Sequence, residues 1–210
     1  MEKGLLVIVS GFSGSGKSTV TKMLLESYDN YALSVSATTR GPREGEVEGV
    51  DYFYKTESEF LEMIDRDAFL EYAYYVDHAY GTPAAYVDEQ LVSGKDVLLE
   101  IEIQGALKVK TRRPDTILIF IAPPSAEELE RRLRFRGTET DDVIRSRLHR
   151  AYEESEYMDQ YDYILINEDI NECMRELHDL IRTQHRRTSR QKEYISRIRE
   201  QLQEQEEKFE

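Results

Sequence analysis

Gly11-Phe-Ser-Gly-Ser-Gly-Lys-Ser18 combines spaced glycines, a lysine and a hydroxyl in the pattern G-x-x-x-x-G-K-[ST], the phosphate-cradling P-loop. Glycines let a backbone curl tightly and turn its N–H groups inward toward an anion. Lys17 has the length and charge to reach β- and γ-phosphates, and the Ser18 hydroxyl is a hard oxygen ligand suited to Mg²⁺. The donor-side candidates are therefore Gly11, Phe12, Ser13, Gly14, Ser15, Gly16, Lys17, Ser18 and Thr19, with Ser18 the metal ligand. The chemistry they suit is binding and transfer of a nucleotide phosphate.

Such a loop works only between a strand and a helix. The apolar run Leu5-Leu-Val-Ile-Val9 precedes it and reads as a buried parallel strand. Ser18-Thr-Val-Thr-Lys-Met-Leu-Leu25 follows and reads as a helix, whose N-terminus adds partial positive charge at the same point. Further apolar strands are expected at 97–101, 117–121 and 163–166, each followed by a helical pattern. That alternation predicts an α/β fold, a P-loop NTPase-type parallel sheet flanked by helices. Residues 34–93 differ, being rich in tyrosine, glycine and short β-like pieces, and read as an inserted α+β subdomain. Segment 125–157 is helical and strongly charged after Pro123-Pro124. Residues 187–210 read as a charged, solvated helix extending the final helix, with a narrow stripe of Tyr194, Ile198 and Leu202.

The 210 residues carry a net charge of −14, which argues against nucleic acid or an anionic membrane as a general partner. A polyanion site in such a chain needs concentrated arginine, and two clusters supply it. Arg40 and Arg43 flank a Gly-Pro turn, where both side chains could point at one anion. Arg131-Arg-Leu-Arg-Phe-Arg136 is followed by Arg145, Arg147 and Arg150. Arg131, Arg134 and Arg150 read as an ordinary solvated face paired with glutamates. Arg132, Arg136 and Arg147 read as phosphate contacts, but only with the family resemblance below. The single cysteine, Cys173, excludes an internal disulfide framework and fits a reducing cytoplasm. No apolar run approaches the ~20 residues that span a bilayer, and the N-terminus shows no signal-peptide pattern. Oligomeric state is left open, a homodimer being compatible with the sequence.

Further segments carry a resemblance. Ser34-Val-Ser-Ala-Thr-Thr-Arg-Gly-Pro-Arg43, Gly45-Glu-Val-Glu-Gly-Val-Asp-Tyr-Phe53, Tyr80-Gly-Thr82, Glu100-Ile-Glu-Ile-Gln-Gly105 and Arg136-Gly-Thr-Glu-Thr140 accompany the P-loop. Over roughly residues 4 to 183 the chain resembles the guanylate kinases. The resemblance implies a core (1–33, 94–123, 158–186), a GMP-binding subdomain (34–93), a lid with its adjoining helix (124–157) and a tail outside the match (187–210). It implies transfer of the γ-phosphoryl group of MgATP to GMP. By resemblance, Arg40, Arg43, Tyr52 and Tyr80 hold the GMP phosphate, and Ser36, Glu71, Thr82 and Glu102 read the guanine. The lid arginines are Arg132 and Arg136, with Arg147 entering from the next helix, and Asn167 sits by the ATP base. Lys17, Arg40, Arg132, Arg136 and Arg147 form the catalytic set.

The chemistry of guanine agrees with that assignment. Its N1–H and N2–H₂ donors suit carboxylates such as Glu71 and Glu102, and its O6 acceptor suits hydroxyls such as Ser36 and Thr82. Adenine presents an unprotonated N1 there and would leave carboxylates unpaired. The acceptor phosphate monoester, with a second pKa of about 6, is already an anion and needs no general base. His78, His149, His178 and His185 form no triad or metal spacing. Two departures stand out: Phe12 where the family usually has proline, and Glu102 where it usually has aspartate. Two rivals stay open, a kinase of another nucleotide or ribose phosphate and a non-catalytic guanylate-kinase-like binding module.

Overall fold

A computed structural model describes residues 3–75, 77–135 and 140–209. In chain order its strands are β1 (Leu6–Ser10), β2 (Tyr31–Leu33), β3 (Ser36–Thr38), β4 (Tyr52–Tyr54), β5 (Phe69–Tyr75), β6 (His78–Pro83), β7 (Asp96–Glu100), β8 (Ile117–Ala122) and β9 (Tyr163–Ile166). Its helices are α1 (Lys17–Ser27), α2 (Glu57–Asp65), α3 (Ala84–Val92), α4 (Ile103–Arg112), α5 (Ala126–Phe135), α6 (Asp141–Ser155), α7 (Ile170–Gln184) and α8 (Lys192–Glu206).

Five strands form a parallel sheet in the order β2-β7-β1-β8-β9, as the apolar runs predict, with β2 an addition that three residues could not announce. Successive side chains of a strand face opposite ways, so β1 feeds two cores. Leu6 and Ile8 join Leu118, Phe120, Val97 and Leu99 on one face. Val7 and Val9 join Leu98, Ile117, Ile119, Ile121 and the α7 residues Cys173, Leu177 and Ile181 on the other. Every residue of β1 and β8 is buried, the expected pattern for parallel strands covered on both faces.

Residues 36–83 build a separate four-stranded sheet in the order β4-β3-β6-β5, mixed in direction, with its own small core of Ala37, Phe60, Phe69 and Ala79. This matches the expected α+β character of the insertion. The tail differs from expectation. A 3₁₀ turn at Thr188–Arg190 separates α7 from α8, so α8 is a distinct helix rather than a continuation. No helix among the described residues is long and apolar enough to cross a membrane.

Candidate active site

The P-loop leaves the C-terminal end of β1, the central strand, and enters α1. Open parallel sheets place ligands at that end of their strands. Gly14 and Gly16 hold φ near +91° and +95°, the left-handed region that favours glycine. A Cβ on Gly16 would also lie 2.3 Å from Asn167 Nδ2. No side chain caps the start of α1, and its first turn carries no acidic residue. By contrast, Asp169 caps α7, accepting from the N–H groups of Asn171 and Glu172. A helix start of this kind, following a glycine loop, can bind an anion.

Around the loop, side chains fix its shape. Phe12 is buried and packs edge-on against Phe120, ring centroids 4.9 Å apart, so it anchors the loop to the core. Arg132 donates from Nη2 to the Asn167 carbonyl at 2.7 Å and from Nη1 to the Ser15 carbonyl at 3.3 Å, while Glu128 holds its Nε. Arg147 on α6 donates to the Ser13 hydroxyl. Arg132 and Arg147 therefore meet at the loop. Arg136 lies outside the described residues. Asn167 is 2 % exposed and its Nδ2 donates to the Ser15 carbonyl at 2.8 Å. In this arrangement the side chain braces the P-loop.

Ser18 Oγ donates to a carboxylate oxygen of Glu100, the last residue of β7. Sequence reading passed over Glu100 in favour of its neighbour Glu102. The available signal was a glutamate ending an apolar parallel strand, where carboxylates serve sites. A hydroxyl and a carboxylate oxygen side by side are hard donors that fit Mg²⁺.

On the acceptor side, Ser36, Tyr52, Glu71, Tyr80 and Glu102 line one cavity of about 390 Å³ with Gly105 and Lys108. Glu71 sits where the β5–β6 register shifts between Phe69 and Tyr72. Burial raises its pKa above the ordinary carboxylate value, against the lowering effect of a hydrogen bond from Thr82. That bond runs from Thr82 Oγ1 to Glu71 Oε1 at 2.7 Å, and Thr82 is fully buried. The Thr82 hydroxyl therefore orients the carboxylate. Gly105 explains its own presence: a Cβ there would stand 3.1 Å from Glu71 Oε2.

Arg40 lies beside this cavity, its guanidinium 5.2 Å from the Tyr52 ring centre. It forks onto Glu46, Nη1 to Oε2 at 2.9 Å and Nη2 to Oε1 at 2.8 Å. Glu46 also accepts from the Arg43 backbone N–H and the Tyr54 hydroxyl. The Arg40 guanidinium, with help from that backbone bond, lowers the Glu46 pKa to about 2. The side chain of Arg43 is exposed. Arg40 and Arg43 thus flank an internal carboxylate, a partner their spacing did not reveal.

A second cavity, also about 390 Å³, joins the two halves. Gly11, Ser13, Lys17, Arg147, Arg150 and Glu102 all line it. The phosphate cradle and the acceptor pocket are contiguous through Glu102.

A parallel sheet whose central strand delivers a glycine loop to an uncapped helix, with a lysine and hydroxyl at its mouth, defines the P-loop nucleotide-binding class. Comparison with known proteins narrows this. The sequence profile described as guanylate kinase matches residues 3–184. A guanylate kinase of Caldanaerobacter subterraneus subsp. tengcongensis is 48% identical over 199 residues, covering 95% of this chain and 97% of that one. One from Clostridioides difficile is 49% identical over 195 residues, covering 93% and 95%. The crystal structure of guanylate kinase from Anaplasma phagocytophilum superimposes with a TM-score of 0.70 at 34% identity, covering 90% of each chain. The chain belongs to the guanylate kinase family.

Proposed function

We infer that this protein is an ATP:GMP phosphotransferase, moving the γ-phosphoryl group of ATP to GMP to give ADP and GDP. Family membership over nearly the whole chain supports the reaction. The observation that carries the reading is the shared cleft, in which Lys17 and Glu102 line one cavity and Glu102 continues into the pocket of Ser36, Glu71 and Tyr80.

The assignment of roles follows from what each group touches. Lys17 and the first turn of α1 bind the β- and γ-phosphates of ATP. Ser18 and Glu100 would hold Mg²⁺, which, when bound, neutralises charge on those phosphates. Arg132 and Arg147, already against the loop, stabilise the charge of the transferring group. Arg136 shares that role by family resemblance. Arg40 and Arg43 hold the GMP phosphate, with the hydroxyls of Tyr52 and Tyr80 completing the cradle. Glu71, Glu102 and Ser36 read the guanine edge, and Thr82 orients Glu71. Chemistry then reduces to aligning two polyanions in a site shielded from water. The sheet of β3–β6 serves as the acceptor subdomain and α5–α6 as the lid, with the parallel sheet as core. Nucleic acid and membrane have no part in this reading, and a cytoplasmic setting suits a chain whose lone cysteine is a buried free thiol.

The test is ADP formation from MgATP with GMP, AMP, UMP, CMP or ribose 1,5-bisphosphate as acceptor. Turnover with GMP alone is expected. Preference for another acceptor would leave the phosphate cradle standing and sink the guanine pocket. No turnover with any of them would favour a binding module.

A further inference from the structure

Arg150 lines the cavity between the two halves of the site, and no role has yet been assigned to it. On α6 its Nη2 reaches the Glu102 carboxylate, 2.8 Å from Oε2, while its Nε donates to Glu154 Oε1 at 3.0 Å. Glu154 lies one turn away on the same helix, its side chain only 20 % exposed, and braces the guanidinium from behind. Glu102 comes from the junction of β7 and α4. The bridge to Glu102 therefore joins two separate parts of the cleft. Both partners are open to solvent, Arg150 at 49 % and Glu102 at 70 % exposure. An exposed pair of this kind adds little to stability, and the fold does not depend on it. Its consequence is geometric.

We propose that Arg150 is a positioning residue for guanine recognition: it fixes the Glu102 carboxylate through one oxygen and leaves the other to accept from the base. A carboxylate has lone pairs enough for both donors, and a side chain held in place loses less rotamer freedom when ligand arrives. Arg147 and Arg150 are three residues apart on α6 and so share a face. The first engages Ser13 of the P-loop and the second the acceptor carboxylate. One helix thereby sets groups on both sides of the transfer. The proposal rests on the assignment of Glu102 to guanine made above.

Steady-state kinetics of Arg150→Ala, Arg150→Lys, Glu102→Gln and the Arg150→Ala/Glu102→Gln double variant test it, with thermal unfolding as a folding control. Arg150→Ala should raise the KM for GMP roughly fivefold or more, with kcat within about threefold of the parent. Arg150→Lys, which keeps the charge, should recover part of that loss. In the Glu102→Gln background, Arg150→Ala should add no further change, because its effect passes through the carboxylate. An unchanged KM for GMP in Arg150→Ala, or an effect that adds in full to that of Glu102→Gln, overturns the proposal while leaving Glu102 in place. If Glu102→Gln alone leaves the KM for GMP unchanged, the guanine assignment of Glu102 fails and the proposal falls with it.

Discussion

Glu71 is held in a setting that opposes its own charge when the pocket is empty. Burial raises its pKa, so ionisation near neutrality costs folding stability that acidification returns. The sign follows from proton counting: with the native pKa above the ordinary 4.5, the folded chain binds more protons than the unfolded chain between the two values. If Glu71 accepts from the guanine edge as proposed, GMP requires the ionised form, and its KM should rise as pH falls toward that range. Glu71→Gln should therefore leave the ligand-free protein as stable or more so, measured by thermal unfolding, while GMP turnover collapses. A variant that lost both together would refute the assignment of that carboxylate. Arg40→Ala should raise the KM for GMP roughly ten- to hundredfold, the effect of one charge-assisted contact, with a smaller change in kcat. At this scale, sequence named residue types well and partners poorly. Ser36, Glu71 and Glu102, proposed because guanine demands acceptors beside a donor, are brought to one cavity. Glu46, Glu100 and the Glu102–Arg150 bridge were not legible, because each pairing is set by how separate segments approach in space.

The loops and helix starts are where glycine decides function. Gly16→Ala would force a Cβ against Asn167 Nδ2 at 2.3 Å in a left-handed residue, where the conformation alone costs about 1–2 kcal/mol. The expected result is lower thermal stability together with loss of ATP binding, read by calorimetry with a non-hydrolysable ATP analogue. Gly105 behaves oppositely. It sits inside α4, where alanine is about 1 kcal/mol more favourable than glycine. The atoms nearest an added Cβ belong to Glu71 and Ile101. Gly105→Ala should hold or raise the melting temperature while increasing the KM for GMP, since Glu71 must shift by a few tenths of an ångström. A fall in stability with unchanged GMP kinetics would show that the close approach is structural. Long apolar strands were legible because burial on both faces leaves continuous runs such as β8. Strand β2 was not, since three residues carry no periodicity, and the break before α8 was not, since its 3₁₀ turn lacks glycine and proline.

Across the whole molecule, the parallel core is fastened far from the cleft. Asp96, 2 % exposed, accepts from the Leu5 backbone N–H at 2.8 Å and meets His185 Nε2 at 2.9 Å, so β1, β7 and the end of α7 share one carboxylate. Helix α8 adds little to this frame, having no buried residue. Removing residues 192–210 should change the thermal midpoint by no more than about 2 °C and leave GMP kinetics unaltered. The cut should follow Gln191, because Gln191 donates to the His185 carbonyl at 3.0 Å and Arg190 to that of Lys3. A large loss of activity on truncation would reveal a role for the tail. The strong negative charge of the chain also takes on a different aspect at the cleft. Arg40 has Glu46 and Arg132 has Glu128, each pair closed within the protein itself. When a phosphorylated product departs, its arginine is not stranded without a counter-charge, because a tethered carboxylate stands ready to re-engage. Escape then avoids the penalty of leaving a partly buried cation unpaired, so product dissociation should be slower in a Glu46→Ala variant, read by stopped-flow release of GDP. The acidic chain thus carries its own displacing anions, which favours rapid clearance of a site built to grip polyphosphates.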